Sequence, residues 1–262
     1  MAWNWRCALL GLLLAAGLGL PAVAWTPGPD DRFDVQFTAP LRLERPVEIL
    51  DLDAVDTSPQ TITRQKAKGR RLVCYVSAGT FEDWRPDKGR FPTKLIGKPV
   101  DGWPGERWLD IRRIDLLRPL MRARVRLCAD KGFDAVEFDN VDGYANDTGF
   151  GLRATSQLRY NRMLADEARK AGLAVGLKND LEQAAALVPR FDFALNESCF
   201  TYGECHLLRP FLDARKPVYV IEYETERAAM DRHCAEAEKL GVQLLFKPRN
   251  LDGRLFRRCG KP

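Results

Sequence analysis

From Phe33 onward the chain alternates two hydrophobic rhythms. Short apolar runs rich in β-branched and aromatic residues recur at Asp34 to Thr38, Val47 to Asp51, Arg71 to Ser77, Ala135 to Phe138, Ala174 to Lys178, Asp192 to Asn196, Val218 to Glu222 and Gln243 to Lys247, and each reads as a buried strand. Between them, apolar residues spaced by three and four predict helices over Ser58 to Lys68, Asp115 to Lys131, Thr155 to Ala171, Leu181 to Val188, His206 to Ala214 and Thr225 to Leu240. Gly132, Gly172 and Gly241 stand at the ends of three of these helices, where a left-handed residue usually closes the last turn. Eight strands alternating with helices in about 220 residues predict one domain folded as a (β/α)8 TIM barrel. The rival is a doubly wound open sheet, but no Gly-x-Gly-x-x-Gly turn follows the first strand and no Walker loop occurs.

One connection breaks the rhythm. Gly79 to Ile111 carries Trp84, Trp103 and Trp108 among four Pro and five Gly, too long for a simple barrel turn. It reads either as a functional loop at one end of the barrel or as a hydrophobic plug. The first 24 residues also differ in kind. Arg6 supplies a positive start, Ala8 to Leu20 is an apolar run, and Pro21-Ala22-Val23-Ala24 ends in a small-x-small pattern, so a secretory signal peptide cut after Ala24 is expected. The apolar run is shorter than the ~20 residues that span a bilayer. Residues 25–262 are then the mature domain.

Export changes how the cysteines read. Once Cys7 leaves, Cys74, Cys128, Cys199, Cys205, Cys234 and Cys259 permit three disulfides, and only Cys199 and Cys205 are close enough in sequence to suggest a pair. A zinc site has no basis: there is no Cys-x-x-Cys, and His206 and His233 are far apart. Both histidines fall in predicted outer helices, which argues against Ser-His-Asp chemistry. Formal net charge is +5 with both signs dispersed, which excludes a nucleic-acid footprint.

In a parallel barrel, chemistry gathers where the strands' carboxyl ends feed their loops. After the fourth strand stands Glu137-Phe-Asp-Asn-Val-Asp-Gly-Tyr144. Strand alternation puts Glu137 and Asp139 on one side and Phe138 toward the helices. Converging carboxylates repel, and a fold tolerates them chiefly where a cation, a shared proton or a reaction uses them. Lys178 and Asn179 follow the fifth strand, and Asn196 and Glu197 the sixth. Lys178 suits either an ion pair with Glu137 or Asp139 or the orientation of substrate hydroxyls. Asp139 and Glu197 are the two carboxyl groups that glycoside hydrolysis requires. Asn140, Asp142 and Tyr144 are expected to contact substrate, with Asp51, Tyr75, Ser77 and Glu222 at softer mouth positions; Asp53, Tyr223 and Lys247 also end strands.

The segments Val73 to Gly79, Arg107 to Ile111, Phe133 to Tyr144, Gly176 to Asn179 and Asn196 to Cys199, in this order, resemble glycoside hydrolase family 114, the endo-α-1,4-polygalactosaminidase-like proteins. The resemblance runs over Phe33 to Pro248. It implies a barrel hydrolase acting on α-1,4-linked galactosamine polymers with catalytic acids at Asp139 and Glu197. By analogy with retaining α-galactosidase barrels, Asp139 is the nucleophile and Glu197 the acid/base. Two departures stand out: Gln36 lies between phenylalanines where the family commonly has tryptophans, and Phe138 takes a position where proline is frequent. The expectation is a monomeric, exported, retaining endo-hydrolase with a polysaccharide substrate, no cofactor or metal and no stable membrane insertion. A non-catalytic sugar-binding barrel and a metal-dependent phosphodiester hydrolase are the alternatives.

Overall fold

The computed structural model describes residues 25–223 and 225–260, so the expected signal segment lies outside the described residues. Strands β1 (Phe33–Gln36), β2 (Ile49–Asp53) and β3 (Arg71–Ser77) lead into a three-stranded insertion of β4 (Thr80–Glu82), β5 (Ile96–Val100) and β6 (Trp103–Leu109). The parallel series resumes with β7 (Ala135–Asp139), β8 (Ala174–Lys178), β9 (Phe193–Glu197), β10 (Val218–Glu222) and β11 (Gln243–Phe246), and β12 (Arg257–Gly260) follows. The helices are α1 (Pro59–Ala67), α2 (Ile114–Lys131), α3 (Ala154–Lys170), α4 (Ala184–Leu187), α5 (Cys199–Tyr202), α6 (Arg209–Asp213) and α7 (Arg227–Leu240).

The eight expected strands are all present and lie side by side in parallel, in the order β1-β2-β3-β7-β8-β9-β10-β11, making a (β/α)8 barrel. Two of the expected helices are shorter than their apolar spacing suggests, since Leu181–Gln183 and Cys205–Leu208 are 3-10 turns that run into α4 and α6. The antiparallel strand β12 adds to the far edge of β11. Among the described residues no ladder joins β11 back to β1. A single parallel bridge between Thr38 and Asp252 and side chains close that seam: Lys247 Nζ lies 2.8 Å from Asp34 Oδ1, both fully buried, and Gln243 accepts from the Phe33 N–H at 3.3 Å. Lys247 is thereby used in the seam and not at the mouth.

Alternation divides each strand between two cores. Leu50, Leu72, Cys74, Val136, Phe138, Val175 and Leu177 face the helices and meet Leu117, Met121, Val125 and Leu164. Phe33, Val35, Ile49, Val73, Ala135, Phe193, Tyr219 and Leu245 fill the barrel's interior, where Phe33 stacks on Tyr219 with ring centroids 4.4 Å apart. Phe193 fits because β8 presents Gly176 there: a Cβ on Gly176 would stand 2.4 Å from the Phe193 ring. The apolar filling closes the barrel's lower half and leaves its upper half to polar side chains.

The Gly79 to Ile111 segment is neither an irregular loop nor a simple plug. It forms the antiparallel sheet β4-β6-β5, whose Trp108 is buried while Trp84 and Trp103 are about half exposed. Its start depends on Gly79, where a Cβ would clash with the Asn140 carbonyl oxygen. Among the described residues no helix is long and apolar enough to cross a membrane.

All six cysteines pair: Cys74 with Cys128, Cys199 with Cys205, and Cys234 with Cys259. The first closes a separation of 54 residues and the second one of 6. Loop-closure entropy makes these worth about 4 and about 2 kcal/mol respectively. Guanidinium unfolding of the Cys74→Ala/Cys128→Ala and Cys199→Ala/Cys205→Ala proteins should therefore give the lower midpoint for the first pair; equal midpoints would contradict this ordering.

Candidate active site

Three strands end on a charged residue that the next residue turns into the mouth. Asp139 closes β7, Lys178 closes β8 and Glu197 closes β9. Each is followed at once by a left-handed residue, Asn140 (φ 60°), Asn179 (φ 49°) and Ser198 (φ 68°). A non-glycine residue holds that conformation only where its surroundings enforce it. Here they do. The Asn179 side-chain oxygen accepts from the Glu197 N–H at 2.9 Å and from the Asn196 amide at 3.1 Å, and Asn196 in turn accepts from the Cys199 N–H.

Lys178 sits at the centre. Its Nζ is 3.0 Å from Glu137, 3.3 Å from Asp139 and 3.6 Å from Glu197. Burial works against its charge, but Asp139, Glu137 and Glu197 outweigh burial and hold its pKa well above the usual lysine value. The positive charge that the converging carboxylates need is thus supplied by Lys178. Asp139 also accepts from the Tyr75 hydroxyl at 2.9 Å and from the Asn140 N–H at 2.8 Å. Glu197 accepts from the Tyr223 hydroxyl at 2.6 Å. Burial raises the Glu197 pKa, as do Asp139 and Glu137, against the opposing effect of Lys178 and Tyr223. Glu197 is the carboxyl poised to hold a proton.

Below this layer Asp51 is fully buried, and burial together with Glu137 raises its pKa well above the normal aspartate value. Burial, with Asp139, pushes Asp142 up to about 6. A cavity of about 400 Å³ opens above, lined by Tyr75, Asp139, Asn140, Asp142, Lys178, Asn179, Glu197 and Tyr223 from the barrel. The insertion contributes Trp84, Arg85, Trp103, Glu106 and Trp108 to the same wall.

Several expected contacts lie elsewhere. Glu222 faces the helical layer, where its carboxylate accepts from the Phe200 and Thr201 N–H groups at the start of α5 and from the Thr201 hydroxyl. Strand alternation explains this: Tyr219 and Ile221 point inward, so Tyr223 and not Glu222 reaches the mouth. Asn196 is likewise turned outward, bracing Asn179, and Ser77 accepts from the Asn140 amide at 3.1 Å behind the wall. Tyr144 donates to Glu182 at 3.0 Å, away from the cavity. Glu106 was not singled out by sequence; its only signal was an acid standing between Trp103 and Trp108.

The family model for glycoside-hydrolase family GH114 matches residues 19–261. Among solved structures, Ega3 of Aspergillus fumigatus, described in complex with galactosamine, is 31% identical with a TM-score of 0.84, covering 88% of this chain and 96% of that one. The glycoside hydrolase domain of PelA from Pseudomonas aeruginosa shares the fold at 14% identity, with a TM-score of 0.67 over 86% of this chain and 97% of that one. An uncharacterised protein of Deinococcus radiodurans is 28% identical over 238 residues, 79% of this chain and 75% of that protein. A family match over nearly the whole length, on a barrel whose mouth gathers two carboxyl groups around one lysine, means that the chain belongs to glycoside-hydrolase family GH114 and is a glycoside hydrolase.

Proposed function

We propose that the protein is an exported endo-acting hydrolase that cleaves α-1,4-linked galactosamine-type polysaccharide with retention, using Asp139 as nucleophile and Glu197 as general acid/base. The observation that carries the mechanism is the position of Lys178 between the two carboxyl groups. With Nζ 3.3 Å from one and 3.6 Å from the other, their oxygens stand at most about 7 Å apart. That spacing accommodates the ~5 to 5.5 Å of a retaining pair and only reaches the lower end of the ~6.5 to 9.5 Å of an inverting one.

The roles follow from the neighbours. Tyr75, Lys178 and the Asn140 N–H all converge on the Asp139 carboxyl and hold it in place, as a nucleophile requires. Glu197, whose pKa is raised by burial, donates its proton to the departing sugar oxygen and then takes one from the water that releases the glycosyl enzyme. The galactosamine complex of Ega3 supports an amino-sugar substrate. The mouth presents the carboxyl groups of Glu106 and Asp142, which can accept from the ammonium groups of an amino sugar, although the chain as a whole is basic. The N-terminal signal pattern and three disulfides support export.

Incubation with partly deacetylated α-1,4-galactosamine oligomers should yield shortened products by mass spectrometry, with the α-anomer formed first by NMR. Asp139→Asn and Glu197→Gln should each lower kcat by about 10²- to 10⁴-fold. Ligand retained but never shortened by the wild type would favour the binding-barrel alternative, and a β-anomer would sink retention.

The pH profile tests the acid. Glu197 must be protonated, so kcat/KM is lost as pH rises through its raised pKa, and this alkaline limb should lie above the ordinary glutamate value of about 4.3. Tyr223 donates to the carboxylate and favours ionisation. In Tyr223→Phe the alkaline limb should therefore move to higher pH; movement to lower pH would remove Glu197 from the acid role.

A further inference from the structure

The buried acids of the mouth fall into two groups. Glu137, Asp139 and Glu197 share Lys178, and Asp53 and Glu82 share Arg85. Glu106 belongs to neither: among the described ion pairs none includes it, although only 6% of its surface is exposed. A carboxylate that deep without a direct ion pair is held at a cost, which the Arg85 charge offsets only from a distance.

Its hydrogen bonds are one-sided. The Thr80 hydroxyl and the Asn140 amide, the latter at 3.0 Å, both donate to Oε1. Oε2 is left for the cavity that Glu106 lines. Asn140 is the residue directly after Asp139, so the Glu106 carboxyl stands beside the proposed nucleophile. On a galactosamine unit the nitrogen is on C2, one bond from the C1 that the nucleophile attacks. A group that recognises this nitrogen must therefore lie next to the nucleophile, buried, and lacking a cation of its own.

We infer that Glu106 is the specificity residue that receives the C2 ammonium of the sugar bound at the point of cleavage. The inference rests on the amino-sugar reading and names the group that enforces it. Burial, with Asp139 and Glu82 adding to it and the Thr80 hydrogen bond and Arg85 opposing, pushes Glu106 up to about 7, so the empty site holds little net charge there and an arriving ammonium favours the ionised form. That salt link also offsets the repulsion between a C2 ammonium and the positive charge that develops at C1 in an oxocarbenium-like transition state. Asp142 is the competing carboxyl on the cavity wall.

Calorimetry with D-galactosamine and D-galactose isolates the question, because the two sugars differ only at C2. The wild type should prefer the amine by about tenfold, the worth of one charge-assisted hydrogen bond. Glu106→Gln should abolish the preference while leaving galactose affinity within about twofold, and Asp142→Asn should keep it. A preference that survives Glu106→Gln overturns the assignment of Glu106 alone. A wild type without preference overturns the amino-sugar reading and this inference with it. If Glu106→Gln fails to bind either sugar, a crystal structure of the wild type with galactosamine decides: nitrogen within hydrogen-bond distance of Glu106 supports the assignment, and nitrogen beside Asp142 or any other group overturns it.

Discussion

The site is organised around one buried ammonium. Taking Lys178 out of water carries a penalty of several kcal/mol, and each of its three carboxylate neighbours would carry a similar one alone. Brought together, they offset one another only if the geometry is held closely. The strand ends hold it: β7, β8 and β9 are neighbours in the ladder, so Glu137, Asp139, Lys178 and Glu197 come from the ends of three adjacent strands. Two of the left-handed residues are held by their side chains, Asn140 by Ser77 on β3 and by Glu106 on the insertion, and Asn179 by the next strand, β9. Strain at Asn179 is thus repaid by the N–H of Glu197 itself.

One ammonium does not balance four acids, and burial decides where protons go. Asp51 has both oxygens buried and, as a carboxylate, would have no partner; Glu137 Oε2 lacks one as well. Their mutual effect raises Asp51, and a protonated Asp51 can donate to the Glu137 oxygen that otherwise has none. This resolves an apparent contradiction, since two carboxylates cannot hydrogen-bond whereas an acid and a carboxylate can. Burial raises both Asp51 and Glu197, while Asp139 accepts from Tyr75 and the Asn140 N–H beside Lys178. The difference between the two proposed catalytic carboxyls therefore comes from their partners: three donors converge on Asp139, whereas Glu197 receives one hydroxyl and a more distant lysine.

The barrel was legible because its strands are short apolar runs buried nearly throughout and three of its helices are followed by glycine, signals that survive without any long-range knowledge. Asp139, Lys178 and Glu197 were legible for the same reason, standing where an apolar strand stops. Glu222 was misjudged although the same rule sufficed: counting alternation from Tyr219 and Ile221 directs Tyr223 inward and Glu222 to the first N–H groups of α5. The role of Glu106 was not legible. It sits on β6, paired antiparallel with β4 and β5 across irregular register, and nothing local in that Pro- and Gly-rich stretch announces a sheet or its orientation. The seam was hidden too, because the Lys247–Asp34 pair joins residues more than two hundred positions apart.

These two kinds of legibility mirror a division of labour. The groups proposed for bond cleavage are on strand ends locked by ladder hydrogen bonds on both sides, where a shift of one residue would turn every side chain to the other face. The cavity residues proposed to meet the rest of the sugar, among them Trp103 and Glu106, stand on a separate small sheet joined to the barrel through Gly79, Asn140 and the packing of Trp108 against Gly143. Such a sheet can change its residues without disturbing the Lys178 cluster. Asn140 is the exception, because one face of it hydrogen-bonds Asp139 through its backbone and the other holds Glu106 through its amide. The proposed nucleophile and the proposed specificity residue are therefore connected through a single left-handed asparagine.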